Sequence, residues 1–163
     1  MSNKKTNAWR WFAFALASFA VWGMVFFWVS QPSAEEQMDF WIGFPSGLNE
    51  QVRSDICQIA KPFGVKRCNF GTYNPSDGMY QQAFAIKAQY VDVFLLNKEE
   101  VSAIAQTGEL LAILPQSDDG IFDIDGNTVA LPVVGDMYVC VNKYSPKDKA
   151  LLEKVVAYLT DLQ

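Results

Sequence analysis

Aromatic, hydroxyl, amide and carboxylate side chains follow the predicted strands of this sequence, at the points where loops leave a sheet. These residues are Phe44, Ser46, Tyr73, Asn74, Asn97, Asp136 and Tyr138. Open α/β sheets bind ligands beyond the carboxyl ends of their strands, and aromatic faces with hydrogen-bonding groups suit a sugar or another small polar solute. The sequence therefore predicts a solute-binding edge, although the same residue types also form caps and turns.

The residue types argue against catalysis. The chain has no histidine, so it lacks the commonest general base and the commonest transition-metal ligand. Ser46, Ser76 and Ser117 consequently have no histidine partner, and the neighbouring Glu99 and Glu100 would point apart on a helix. We predict no catalytic residue, no cofactor and no enzyme activity.

The acidic cluster DIDGN at residues 123–127 has the composition of a calcium loop. Continuing the EF-hand register, however, puts Thr128 where glycine is required and Val134 where the bidentate glutamate belongs. A hairpin turn at Asp125 and Gly126 accounts for the same residues. The sequence therefore predicts a turn here and no metal site.

Three cysteines are too few and too scattered for a disulfide scaffold or a zinc site. Cys57 and Cys68 could pair in an oxidising compartment and close a short loop. The alternative is that these two residues and Cys140 are small hydrophobic fillers.

The stretch WFAFALASFAVWGMVFFWV at residues 11–29 carries no charge. As a helix it would be about 28 Å long, close to the ~30 Å hydrocarbon core of a bilayer, so it predicts a membrane anchor. Lys4, Lys5 and Arg10 precede it, which predicts a cytoplasmic tail at residues 1–10 and an extracytoplasmic remainder. A cleaved signal peptide is the alternative, but its apolar core is usually ~7–15 residues, and Pro32 stands where a small residue is wanted.

Residues 30–37, SQPSAEEQ, form a predicted linker, and residues 38–163 suffice for one domain. Strand patterns occur at residues 40–44, 65–73, 91–96, 110–114, 128–134 and 137–142, and helical patterns lie between several of them. This alternation predicts an α/β fold in three layers, with a mostly parallel sheet and helices on both faces.

Cap residues predict where the helices of this domain begin. Asn49 and Ser76 precede two helical patterns, and Asn97 with Glu100 matches a capping box before a third. A final helix starts at Lys149. In the helix after Ser76, the predicted core-facing residues are Met79, Ala83, Ile86 and Tyr90.

Charge separates the two ends of the chain. Three of the 13 basic residues precede the apolar stretch, whereas all 18 acidic residues follow it. The remainder is therefore acidic and would repel phosphate backbones, so we predict no nucleic-acid partner.

Three segments carry a pattern of strand and helix residues in a recognisable order: YQQAFAIKAQYVDVFLLNKEEVSAIAQTGELLAIL, DGNTVALPVVGDMYVCVNK and SPKDKALLEKVVAYLTDL. These segments resemble extracellular solute-binding proteins of bacterial ABC importers, particularly the first lobe of the carbohydrate-type family. This resemblance implies a periplasmic-binding-protein-like lobe on a bacterial membrane. It also implies non-catalytic recognition of a sugar-like solute, or docking on an ABC permease.

The chain departs from this family in two ways. It passes almost directly from the strand ending near Lys143 into the last helix, so the second lobe is expected to be missing. It also lacks a lipobox cysteine, so the apolar stretch would replace the lipid anchor. One wall cannot enclose a solute, which leaves open self-association, a structural role in a membrane complex, or a signalling ectodomain.

Overall fold

The structure is a computed structural model that describes residues 3–110 and 118–162, with side chains from residue 9. The chain forms two compact units, residues 1–33 and residues 34–163, which are described separately below.

The first unit is a single helix, α1 (Asn3–Ser30). Its segment Trp9–Ser30 is long and apolar enough to cross a membrane, as a signal sequence also would be, and no other described helix meets this criterion. Its large apolar side chains are exposed along its length. This helix contains the predicted span at residues 11–29, and it also takes in most of the predicted tail.

The second unit contains the remaining elements. Its strands are β1 (Gln37–Ile42), β2 (Arg67–Thr72), β3 (Val93–Asn97), β4 (Ile121–Phe122), β5 (Thr128–Pro132) and β6 (Met137–Val141). Its helices are α2 (Glu50–Ala60), α3 (Tyr80–Lys87), α4 (Lys98–Ala105) and α5 (Lys149–Thr160), with short 3₁₀ turns at Ala34–Glu36, Lys61–Phe63 and Ala88–Tyr90.

The described strands form one mixed sheet in the order β2-β1-β3-β6-β5-β4. β1 lies parallel to both β2 and β3, whereas β6, β5 and β4 are added in antiparallel pairings. The α/β class is therefore confirmed, but the prediction of a mostly parallel sheet holds only for the half built by the first three strands. β2 lies at an edge of this sheet.

Alternate residues along the strands belong to two separate buried clusters. The first cluster contains Phe40, Ile42, Val93 and Leu95 together with buried residues of α2 and α5. The second cluster contains Trp41, Phe94 and Leu96 together with residues of α3 and α4. Strands with apolar residues at every position give this pattern because successive side chains point to opposite faces.

Local sequence explains most helix ends. The Asn49 side chain accepts a hydrogen bond from the Val52 N–H at 2.8 Å and caps α2, as predicted. Asn97 and Glu100 form the predicted capping box of α4. Gly64 ends the turn after α2 with φ +85°, a conformation that favours glycine.

Two predictions about helix α3 were wrong at least in part, and a third prediction concerns residues that lie mostly outside the described parts of the chain. Ser76 does not cap α3, which begins at Tyr80 without a side-chain cap. Met79, Ile86 and Tyr90 are exposed, while α3 turns Tyr80 and Phe84 inward. The predicted strand at residues 110–114 lies mostly outside the described residues, as does Ser117; Leu110 itself bridges to Asn142.

Candidate solute-binding edge

The seven predicted ligand residues lie at one edge of the sheet. The strand register places Ile42 beside Thr72 and Leu95, Asn97 beside Met137, and Pro132 beside Tyr138. The carboxyl ends of β1, β2, β3 and β5 therefore meet the start of β6, which runs the other way. The structure thus brings all seven positions to the same edge, although not into one pocket.

Two of them, Phe44 and Ser46, line a pocket of about 500 Å³ at this edge. The turn between β1 and α2 forms one wall, and the turn between β5 and β6 forms another. The other lining residues are Gly47, Leu48, Asn49, Val52, Leu95, Val133, Val134, Met137 and Leu162. Sequence reasoning missed most of this list because apolar residues at strand ends and at the end of α5 look like ordinary core.

The walls of this pocket are mainly apolar. Phe44, Leu48 and Leu162 pack against the first buried cluster, to which Val52 and Val133 belong. The polar groups are few, and the Asn49 side-chain oxygen is already engaged by the Val52 N–H. The pocket is therefore better suited to an apolar group than to a sugar ring with many hydroxyls.

Tyr73 and Asn74 are held in other contacts. The Tyr73 ring stacks on the buried indole of Trp41, with centroids 3.6 Å apart and planes within 8°. Lys87 donates a hydrogen bond to the Tyr73 hydroxyl at 3.0 Å. The Asn74 side chain accepts from the Ser76 N–H at 3.0 Å, which is a turn contact. Both residues lie outside the 500 Å³ pocket.

The remaining predicted ligand residues, Asn97, Asp136 and Tyr138, have three different environments. The Asn97 side chain accepts from the Glu100 N–H at 2.9 Å and is occupied as a helix cap. Tyr138 packs against the second cluster, on the side of the sheet away from the pocket. Asp136 is exposed in the turn between β5 and β6, next to the pocket residue Met137.

Arg53, in the first turn of α2, is a residue that the sequence did not single out. Its guanidinium carbon lies 5.7 Å from the centroid of the Phe70 ring. Its Nε is buried and has no hydrogen-bond partner. A Cβ added to Gly47 would lie 2.8 Å from Arg53 Nη2 and 3.0 Å from Thr72 Oγ1, so these two groups border the pocket turn.

The acidic loop at residues 123–127 is a hairpin turn, as predicted, because β4 and β5 pair in antiparallel fashion around it. Asp123 Oδ1 accepts from the backbone N–H groups of Asp125 and Asn127, at 2.9 and 2.8 Å. The bonds from Asn127 are the main reason that the pKa of Asp123 is lowered. Among the described residues, no group of three or more potential acidic or thiol ligands is arranged to hold a metal.

Cys57 and Cys68 are free thiols that both line a cleft between α2 and β2. Burial, followed by a hydrogen bond that the Cys68 thiol donates to Cys57, raises the pKa of the Cys68 thiol. Cys140 is buried in the sheet. The Cys57–Cys68 bridge stays a prediction.

A buried polar group, Asp92, lies at the opposite edge of the sheet. Its carboxylate accepts hydrogen bonds from the Asp39 N–H at 2.8 Å and from the Ser145 hydroxyl at 2.5 Å. Burial raises the pKa of Asp92, and the bonds from Ser145 and Asp39 only partly oppose this effect. Beside it, the Asn142 side chain donates to the carbonyls of Ala88 and Val91. This network joins the start of β3 to the end of β6.

No protein-family model, curated protein or solved structure matches this chain.

Proposed function

We propose that this chain is a membrane-anchored, non-catalytic recognition protein whose second unit binds a small solute at the carboxyl edge of its sheet. The second unit would be a three-layer, single-lobe relative of bacterial solute-binding proteins, with the N-terminus of the chain in the cytoplasm. The two buried clusters, one with α2 and α5 and one with α3 and α4, support a three-layer arrangement.

The pocket between the two turns is the observation that carries this proposal. β1 is flanked by β2 on one side and β3 on the other. The connecting helices α2 and α3 contribute to different clusters, so the chain reverses its winding at the boundary between β1 and β3. Such switch points are where open α/β sheets bind ligands, and the pocket includes Phe44 after β1 and Leu95 in β3.

The chemistry of the walls narrows the solute class. A mainly apolar pocket of this volume favours a solute with an apolar part, in place of the free sugar that the resemblance implied. Because a single lobe supplies one side of a cleft, we expect weak binding by the isolated chain. A second copy or an ABC permease would supply the other wall.

The test uses the full chain in lipid nanodiscs and a panel of sugars, amino acids, short peptides and small organic acids. A bound solute should raise the melting temperature of the second unit, because binding to the native state alone stabilises it. Val134→Asp places a charge on a rim residue that is 57% exposed, so it should abolish the shift without unfolding the domain. No shift with any compound would contradict the proposal.

The matched control is Ile124→Asp. Ile124 is also an exposed apolar residue in a hairpin turn, at 71% exposure, but its turn lies at the opposite edge of the sheet. This variant should keep the shift produced by every active compound. Loss of the shift in both variants would show that the effect is not specific to the pocket.

A second candidate function is docking on a membrane protein partner such as a permease subunit. Met79 directly precedes α3, Ile86 lies in α3 and Tyr90 lies in the following turn, and each is at least 63% exposed. Their spacing of seven and four residues is the spacing of one helix face. Grouped apolar residues on a surface commonly mark an interaction site.

Site-specific crosslinking in membranes tests this candidate. A photoreactive residue at Ile86 should capture a partner protein, whereas one at the exposed Gln58 on α2 should not. Capture of a permease subunit would support docking, and capture of a second copy would indicate self-association. Equal crosslinking at both positions would contradict a docking face on α3.

A further inference from the structure

We propose that Arg53, Thr72 and the turn at Gly47 form a carboxylate-binding subsite beside the pocket. The solute would then be a small monocarboxylate with an apolar tail. This inference rests on the proposed function and names its substrate class.

The Arg53 guanidinium is the group that would bind the carboxylate. Within the described parts of the chain, the Arg53 side chain has no ion pair and no hydrogen bond, and its Nε is shielded from solvent. A guanidinium has five N–H donors, and a buried donor without an acceptor costs free energy. The Phe70 ring holds the guanidinium in place by a cation–π contact, but it offers no oxygen or nitrogen that could accept a hydrogen bond.

The position of Arg53 on its helix adds to this cost. Arg53 is the fourth residue of α2, close to the N-terminal end, where the helix dipole favours negative charge and disfavours positive charge. Glu50 in the same turn has no ion pair with it. An anion bound at this end of α2 would offset both the unpaired Nε–H of Arg53 and the unfavourable dipole.

Gly47 brings the subsite and the pocket together. Its φ of +60° suits glycine, and a side chain here would collide with both the guanidinium and the Thr72 hydroxyl. Gly47 also lines the apolar pocket, together with Leu48 and Val52. A ligand lying across this turn would therefore meet hydrogen-bond donors at one end and apolar walls at the other.

The chemistry of these groups selects the class of ligand. A guanidinium binds a planar carboxylate through two parallel hydrogen bonds, and a nearby hydroxyl such as that of Thr72 can donate a third. The adjoining apolar walls have no role for a free phosphate or sulfate but suit a branched or linear hydrocarbon group. The geometry therefore favours an amphiphilic monocarboxylate.

The experiment compares two probes of equal shape, 4-methylpentanoate and 4-methylpentanamide, on the full chain in lipid nanodiscs. Ligand-observed NMR gives their dissociation constants. We expect the acid to bind at least about tenfold more tightly than the amide, as charge-assisted hydrogen bonds generally allow. Arg53→Gln should remove this preference while leaving weak binding of the amide.

The matched control is Arg67→Gln, which removes the same side chain from the other end of β2, where Arg67 is exposed. This variant should keep the preference for the acid. Arg53→Lys provides a second variant in case Arg53→Gln does not fold. Lysine keeps the charge but cannot form two parallel hydrogen bonds to a carboxylate, so the preference for the acid over the amide should fall several-fold.

The outcomes separate this inference from the proposed function. Equal binding of acid and amide to the wild type, abolished for both by Val134→Asp, would overturn the subsite and leave the pocket in place. An acid preference that is unchanged in both Arg53 variants would also overturn it. Binding of neither probe would overturn the monocarboxylate class, while the wider solute panel decides whether the pocket binds anything.

Discussion

The Tyr73 ring lies flat against the Trp41 indole at the carboxyl edge, and this stack carries a prediction about stability. Tyr73→Ala should lower the free energy of unfolding by about 1–3 kcal/mol, because it removes apolar contact area and an aromatic pair. Tyr73→Phe keeps the stack and loses only the exposed bond from Lys87, so it should cost less than about 0.5 kcal/mol. Urea unfolding in nanodiscs, followed by circular dichroism, measures both. Equal stability of Tyr73→Ala and the wild type would contradict a structural role.

Asp92 predicts a pH dependence of stability. Because burial raises its pKa above the 3.8 of an exposed aspartate, the native state holds this proton more tightly than the unfolded state does. The free energy of unfolding should therefore lose this contribution as pH rises from 3.8 through the pKa of Asp92. Asp92→Asn removes the titration, so its stability relative to the wild type should increase across the same window.

Ser145→Ala sharpens the same test. The Ser145 hydroxyl donates to the Asp92 carboxylate and lowers its pKa. Removing the hydroxyl should therefore raise the pKa of Asp92 further and extend the pH range over which the free energy of unfolding falls to higher pH. Chemical unfolding at a series of pH values measures the three proteins. Parallel stability profiles for Asp92→Asn and the wild type would refute the assignment.

Single residues show what local sequence could and could not predict about the site. Placement of the seven residues at one edge could be predicted from their positions after predicted strands. The role of each residue did not, because a hydrogen bond from Ser76 to Asn74 or a ring packed on Tyr73 depends on neighbours that fold in from elsewhere. Arg53 was missed for the same reason, since only the folded chain shows that its Nε has no partner.

At the level of elements, the cap of α4 gives a prediction that separates folding from binding. Asn97→Ala should cost about 1 kcal/mol of stability, because it removes the bond that the Asn97 side chain accepts from the Glu100 N–H, while the bond from the backbone N–H of residue 97 to the Glu100 carboxylate stays available. Asn97→Ser should restore most of it, since serine is also a good cap. Neither variant should weaken the binding of a solute that raises the melting temperature of the wild type. A binding defect at wild-type stability would mean that Asn97 contacts the ligand.

The helices show where sequence patterns are reliable. Asn49 and the Asn97–Glu100 pair were predicted correctly because a cap involves residues only a few positions apart. The stripe of α3 was predicted to face the core, and this was wrong for Met79, Ile86 and Tyr90, whereas the fourth residue, Ala83, packs against the second cluster. Tyr80 and Phe84 follow the same helical spacing, and they pack instead against Trp41 through aromatic contacts at 5.6 and 5.2 Å.

The mixed sheet was beyond local patterns for a related reason. The sequence of β6 predicts a strand, but it does not predict that this strand lies between β3 and β5. That position follows from long-range contacts, including the buried Asn142 that donates to the carbonyls of Ala88 and Val91. A buried polar side chain of this kind favours one strand order because every alternative leaves its hydrogen bonds unmade.

On the scale of the whole molecule, the basic residues that precede the uncharged run at residues 11–29 predict the orientation of α1. On intact cells, a membrane-impermeant maleimide should label Gln58→Cys but not Thr6→Cys, in a background where the three native cysteines are replaced by serine. Replacing Lys4, Lys5 and Arg10 with glutamine should reduce labelling at position 58, because basic residues retain the N-terminus inside. Labelling at position 6 in the otherwise unchanged sequence would contradict the proposed orientation.

The division of the chain was the easiest feature to predict. An uncharged run of this length has few alternatives, and the structure has one helix over it and a separate α/β unit after it. The family resemblance is a proposal of a different kind, because strand order alone is shared by proteins with many functions.

Alternate residues of the strands belong to two buried clusters, and the pocket is lined by residues of the first. Local opening of one face need not disturb the other, so amide hydrogen exchange can report on each face independently. Occupancy of the pocket should slow exchange in α2 and α5 and leave α3 and α4 nearly unchanged. The unliganded face would then remain free to engage a protein while the other face holds a small molecule.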